Sequence, residues 1–272
     1  AEGMAMKKDP PLEKLLGKLQ ADRLESRRGA CQAFAALGRR AAPALPELRK
    51  TLDADDMWLR VLAADAIAAM GDAGMPALPD LLEQMAKHGP SEKDPRGMEQ
   101  RFLSFAVFTT MLKKHSLKNA DRDLLRKAIA VSLRNEDGKA RTAAASLYNR
   151  LTYEELRPLL PAIYAAIVEP APSGIMFADG VRITGLQLLA RHQDPRAPRL
   201  ALDLMEINRW GKRGRVEGCI KALEMCGDAA KPLLPELREL EKDLKAHREA
   251  KTKILKPSIE RLEKLIKTLE GS

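Results

Sequence analysis

One segment recurs along the chain and governs everything else that can be read from it. Residues 35–48, Ala-Ala-Leu-Gly-Arg-Arg-Ala-Ala-Pro-Ala-Leu-Pro-Glu-Leu, return 33 residues later as Ala-Ala-Met-Gly-Asp-Ala-Gly-Met-Pro-Ala-Leu-Pro-Asp-Leu at 68–81. A third copy, Glu-Met-Cys-Gly-Asp-Ala-Ala-Lys-Pro-Leu-Leu-Pro-Glu-Leu, occupies 224–237. A period of this length marks a chain built from supersecondary units that cannot bury their apolar faces alone and must stack on one another. Degenerate copies lie between: Pro161, Pro198 and Pro235 stand 37 residues apart, and the interval from Pro79 to Pro161 has room for two further units. One of these falls at residues 119–133, where Asp121 can cap a helix containing Leu124, Leu125, Ile129 and Val131. Six helical hairpins account for most of the chain.

The residues of each unit explain its shape. Aromatics make up 4% of the 272 residues against an apolar share of 45%, so the core must come mainly from Ala, Leu, Ile and Met, which favours closely spaced helices. No stretch alternates long enough to read as a strand. Gly71 follows the last apolar residue of a first helix, at the point where a left-handed cap is expected. Pro76 and Pro79 are then expected near the start of a second helix, where a missing amide costs little. The fold class expected is all-α, a right-handed α-α superhelix. Residues 1–11 form an N-terminal extension, 12–244 the repeat array and 245–272 a C-terminal capping helix.

An arginine recurs in the first helices as Arg27, Arg60, Arg141 and Arg182, and in the two best copies it stands eleven residues before the glycine. Asp22 and Asp55 precede Arg27 and Arg60 by five positions. A basic stripe for an anionic ligand is one reading. The reading adopted is a structural ladder of Asp and Arg between repeats that satisfies loop carbonyls.

The capping glycine, the Ala-Leu-Pro-Glu-Leu second helix and the Asp-to-Arg spacing together resemble HEAT repeats, the armadillo-type α-solenoids. The resemblance spans residues 12–244, closest in the first, second and sixth copies. It implies a stacked helical array that presents surfaces to partners. Residues 172–180 and 240–251 also look like the HEAT array that ends certain large bacterial proteins of unknown function, a likeness that implies no activity.

The formal charge of +9 is compatible with nucleic acid, anionic lipid or an acidic protein, but 31% charged residues of both signs dilute that signal. Asp65, Asp72 and Asp80 interrupt even the most apolar region, so no transmembrane segment is expected and the array should be soluble. Cys219 and Cys226 fall seven residues apart on one expected helix, roughly 10 Å, beyond the reach of a disulfide, and with Cys31 they read as buried thiols. Three cysteines fit a reducing compartment or the exterior equally. A start at Ala1-Glu2-Gly3 is expected of either a processed terminus or a piece of something larger.

Two segments carry candidate binding residues. Asn208 to Arg215 combines Arg209, Lys212, Arg213 and Arg215 with Trp210 and two glycines, which can grip phosphates while the indole stacks on a base. Its plainer reading is an inter-repeat loop with solvated cations. Residues 169–180 place Ile175, Met176 and Phe177 beside prolines. These side chains either plug a gap between repeats, the reading adopted, or form an apolar contact for a partner. The polar loop at 88–97 reads as a long connector. The tail carries apolar residues at helical spacing, is interrupted by Pro257, and reads as a cap rather than a coiled-coil arm.

Enzymatic readings fare poorly. A base-excising solenoid needs aromatics and a carboxylate in one groove, yet Trp58 and Trp210 are about four repeats apart. The four histidines are followed by Gly89, Ser116, Gln193 and Arg248, so the paired His-Glu motif of metal-dependent hydroxylases on this fold is missing. No zinc spacing or phosphate-binding loop occurs. The expected function is a non-enzymatic scaffold with no cofactor, or the non-catalytic domain of a larger protein. Its partner is a protein or peptide received along second helices near residues 45–52, 78–87 and 233–244. Nucleic acid is the alternative. A groove of mixed charge with an apolar centre would favour the first, a contiguous positive groove the second.

Overall fold

A computed structural model describes residues 11–272, the side chain of Ile175 excepted. The N-terminal extension expected at 1–11 therefore lies, apart from Pro11, outside the described residues. Every regular element among the described residues is helical, with isolated bridges at Ser91–Asp94 and Asp137–Ser173 as the sole β-type pairings. In chain order the helices are α1 (Leu12–Leu19), α2 (Leu24–Leu37), α3 (Leu45–Thr51), α4 (Met57–Ala69), α5 (Leu78–Lys87) and α6 (Met98–Ser104). They continue as α7 (Arg122–Leu133), α8 (Gly138–Ala145), α9 (Tyr153–Leu156), α10 (Leu160–Val168), α11 (Ala178–Arg191), α12 (Ala197–Asp203), α13 (Lys212–Cys226), α14 (Leu234–Ala246) and α15 (Lys256–Gly271). None of the described helices is long and apolar enough to cross a membrane.

The described residues divide into two compact units, one of residues 11–162 with 171–175 and one of 163–170 with 176–272. In the first, α2 packs on α1 and α4, α4 on α3 and α6, α6 on α8, and α5 on α7. In the second, α13 packs on α11, α12 and α15, and α14 on α15. Small side chains let these helices approach closely: Ala30, Ala44, Ala63, Ala64, Ala66, Ala144, Ala190 and Ala222 are fully buried. Leu48, Ile67, Leu81, Leu82 and Leu223 fill the space between. At Gly74 the approach is so tight that a Cβ would stand 2.2 Å from the Ile67 carbonyl oxygen.

The three best copies share one turn. Gly38, Gly71 and Gly227 have φ of 57°, 62° and 56°, so a non-glycine residue would be strained at each. Gly38 and Gly227, the counterparts of Gly71 in the other two copies, are not left-handed helical caps, because their ψ of −129° and −133° puts them in the mirror-image β region. Each glycine opens a 3-10 turn, Gly38–Ala44, Gly71–Ala77 and Gly227–Leu233. The first proline of each pair, Pro43, Pro76 or Pro232, sits inside that turn. The second opens the next helix, where its missing N–H is not needed.

Asp121 caps α7 as expected, accepting from the amides of Asp123 and Leu124 at 2.9 and 3.0 Å. The loop at 88–97 is more specified than a plain connector. Asp94 accepts from the amides of Met98 and Glu99, and the Asn135 side chain donates to the Gly97 carbonyl at 3.0 Å. α6 does not stop at Ser104 but runs on as a π-helix, Phe105–Met111, with the Leu112 amide bonding to Val107 five residues back. Pro257 breaks no helix: it lies in the first turn of α15, after a turn region at 247–255. The three cysteines are free and buried, and burial pushes the Cys31 and Cys219 thiols up to about 12 and Cys226 up to about 11.

Candidate functional site

The recurring arginines take their places by position within a helix. Arg27, Arg60 and Arg141 are each the fourth residue of their helix, as are Arg101 and Arg215; Arg182 is the fifth of α11. From that position the guanidinium reaches back to the turn before the helix. Arg60 donates to the carbonyls of Ala54 and Asp55, six and five residues back, at 2.7 and 3.0 Å. Arg141 donates to Asn135, six back, at 2.8 Å. Arg182 instead reaches the Ile167 carbonyl, also at 2.8 Å. The acidic partners differ from those expected: Asp55 serves Arg60 through its main chain, and the carboxylate facing Arg60 is Glu99 of α6, paired through two bonds of 2.7 Å. In α2 the inter-helix pair belongs to Arg28, which grips Asp56 at the start of α4, while Arg27 has a buried Nε without a hydrogen-bond partner. Arg101 continues the series to Asp137 at the start of α8, at 3.3 Å.

The basic loop is not the set of solvated cations that its sequence implies. Arg215 is 2% exposed, and its guanidinium donates to the carbonyls of Met205, Glu206, Arg209 and Trp210 and to the Asp179 carboxylate, all within 3.1 Å. Two of those carbonyls stand six and five residues back, as they do for Arg60. Arg215 is therefore a rung of the ladder and belongs with Arg60 and Arg141. Arg209 pairs with Asp179 and with Glu206. Burial works against its charge, but these two carboxylates outweigh burial and hold its pKa above the ordinary arginine value. Lys212 pairs with Glu249 at 2.9 Å and holds that carboxyl below the usual range. Arg213 and Trp210 are the exposed members, Trp210 at 68%.

At residues 171–175 the backbone is pinned rather than free: the Ser173 amide donates to the Glu136 carbonyl at 3.1 Å, and the Gly138 amide to Ser173 at 2.9 Å. Phe177 is half-buried, but Met176 is 66% exposed, so Met176 does not plug a gap. Ile175, the third residue of that expectation, lies outside the described side chains.

A second feature needs two elements to be seen at all. An open groove of about 460 Å³ lies between α12 and α14, lined by Leu202, Pro235 and Leu240 at its apolar centre. Around them stand Asp203, Glu236, Glu239 and Asp243, with Arg199 as the one cation of the lining. Arg199 is already committed to Glu236 through bonds of 2.6 and 2.7 Å, which leaves the remaining carboxylates to set a negative potential on a chain of net charge +9. Among the described residues no group of three or more His, Cys, Asp or Glu side chains is placed to hold a metal ion.

No protein-family model matches the chain, and no curated protein matches it. A crystal structure described as an engineered protein aligns with 95% of this chain and 99% of its own, at 17% identity and a TM-score of 0.41, too distant to bear on fold or function.

Proposed function

We propose that this chain is a HEAT-type α-solenoid of about six hairpins that acts as a non-enzymatic scaffold, holding a protein or peptide partner through its second helices. The α12–α14 groove carries the reading. Its charged rim and apolar centre match what a peptide anchor needs, and its carboxylates favour a basic segment with apolar anchors. The solenoid reading rests on the shared glycine and 3-10 turn in three copies and on the packing of first helix on first helix in each unit. Phosphate binding by the loop at 208–215 draws less support, because Arg209, Lys212 and Arg215 are each bound to protein carboxylates.

The test is fluorescence anisotropy of a labelled peptide alternating Lys or Arg with Leu, measured against the protein and against Asp203→Asn/Glu239→Gln/Asp243→Asn. These side chains lie on the surface, so folding should survive. The expected result is binding in the micromolar range that weakens about tenfold or more in the variant. Equal binding by both proteins would remove the groove from the account.

A further inference from the structure

A groove in the first unit, on the face of first helices rather than second ones, differs in kind from the one just described. It encloses about 370 Å³ and is lined by Asp65, Ala68 and Ala69 of α4 and by Phe102, Phe105, Ala106 and Thr110 of α6 and its π-helical continuation. Asp65 is the only charged residue of the lining, and it has no hydrogen bond or ion pair among the described residues. Burial alone acts on it, lifting its carboxyl to about 6. Arginine and lysine elsewhere answer nearly every half-buried carboxylate, so a carboxylate left alone beside alanines and phenylalanines is a destabilising choice that the fold itself does not require.

The surroundings are unusual in the same direction. Phe105 is 59% exposed and Trp58 40% exposed, two of the large apolar side chains that the described surface leaves open. Trp58, outside the lining, meets Phe102 edge to face with ring centroids 5.5 Å apart, which puts its indole directly behind one ring of the lining wall. The π-helical stretch gives this wall its form, and such stretches are frequent where a helix serves a site rather than a core.

We infer that the groove of Asp65, Phe102 and Phe105 receives a lysine side chain presented by a partner protein. The carboxylate supplies the counter-charge, the alanine floor takes the four-carbon stem, and the exposed Phe105 ring flanks the ammonium, since the Phe102 ring already carries the Arg101 guanidinium 5.7 Å from its centroid. Lysine fits better than arginine. An ammonium has three donors that one carboxylate, the Thr110 hydroxyl and water can satisfy, whereas a guanidinium would turn several of its five toward apolar walls. The inference shares with the scaffold reading only the premise of a protein partner, and it rests on a different unit of the chain.

Trp58 reports on this wall once Trp210, exposed on the other unit, is changed to Phe. The titrant is a short peptide with one central lysine among alanines and leucines, and the host carries Asp203→Asn/Glu239→Gln/Asp243→Asn so that the α12–α14 groove does not compete. The expected result is a saturable change in Trp58 emission that weakens about tenfold or more on Asp65→Asn, and as much on acetylating the lysine. Circular dichroism establishes that the Asp65→Asn protein is folded. Identical titrations for lysine and acetyl-lysine peptides, or no saturation up to millimolar peptide, would overturn the inference. So would butylamine binding as tightly as the peptide, or a dimer that Asp65→Asn dissociates, since the occupant would then be a free amine or a second copy. Failure of the basic peptide to bind the α12–α14 groove of the protein without those three substitutions, with the Trp58 response intact, would count against the scaffold groove alone.

Discussion

At the scale of single residues, the chain separates arginines that build it from arginines that decorate it. Arg215 and Arg213 are two residues apart in one basic run, yet the first holds four carbonyls and a carboxylate and the second faces solvent. Arg215→Ala should cost about 3 kcal/mol or more, since it strands buried carbonyls and leaves Asp179 with Arg209 alone, and Arg213→Ala less than about 0.5 kcal/mol. Urea unfolding of the two variants checks this, with similar midpoints as the contrary result. Asp65 supplies a prediction of the opposite sign. Its carboxyl titrates near 6 when folded against 3.8 for the free side chain, so the charged form opposes folding. The contribution of Asp65 is most favourable below about pH 4 and is lost as pH rises toward 6. Asp65→Asn should therefore stabilise by about 1 kcal/mol at pH 7, a figure reduced for the solvent that reaches a half-buried group, and the gain should vanish near pH 4. A gain of the same size at both pH values would point to packing instead of charge.

At the scale of elements, pairs of arginine and carboxylate link successive helices in two series of unequal worth. Arg60–Glu99 is nearly buried, with side chains 13% and 6% exposed, whereas Arg49–Asp80 is open at 43% and 35%. Glu99→Gln should cost about 3 kcal/mol and Asp80→Asn less than about 1 kcal/mol in thermal or urea unfolding. Equal losses would mean that burial does not set the strength of these links. Much of this level could be read in the sequence. Capping glycines, paired prolines and the Asp121 cap are local signals, written within a few residues of the turn they make. The ladder was only partly legible. Counting from the glycine finds Arg27 and Arg60, but the arginine's reach is set from the helix start, so the count misplaced Arg215 into a binding loop. Nothing announced the π-helix, because Phe105, Ala106, Val107 and Phe108 read as any buried helical run. Nor did Asp65 announce its groove: in sequence it merely interrupts an apolar stretch, and what isolates it is α6, some 35 residues on.

At the scale of the whole molecule, net charge and local charge disagree, and the proposed choice of partner rests on the local charge. A chain of +9 would be taken for a polyanion binder, yet many of its cations are spent on internal carboxylates and its α12–α14 groove is acidic. Such a groove needs residues from two helices some 35 positions apart, which is why no single segment of the sequence marked it. The most direct measurement sets the two classes of partner against each other on one sample. A labelled basic peptide and a labelled single-stranded oligonucleotide are titrated with the protein across a salt series, before and after Asp203→Asn/Glu239→Gln/Asp243→Asn. The peptide should bind and lose about tenfold or more in the variant, while the oligonucleotide binds weakly and is not weakened by the substitutions. Tighter binding of the oligonucleotide, falling steeply with salt and lost on changing Arg209, Lys212 and Arg213 to alanine, would contradict this expectation.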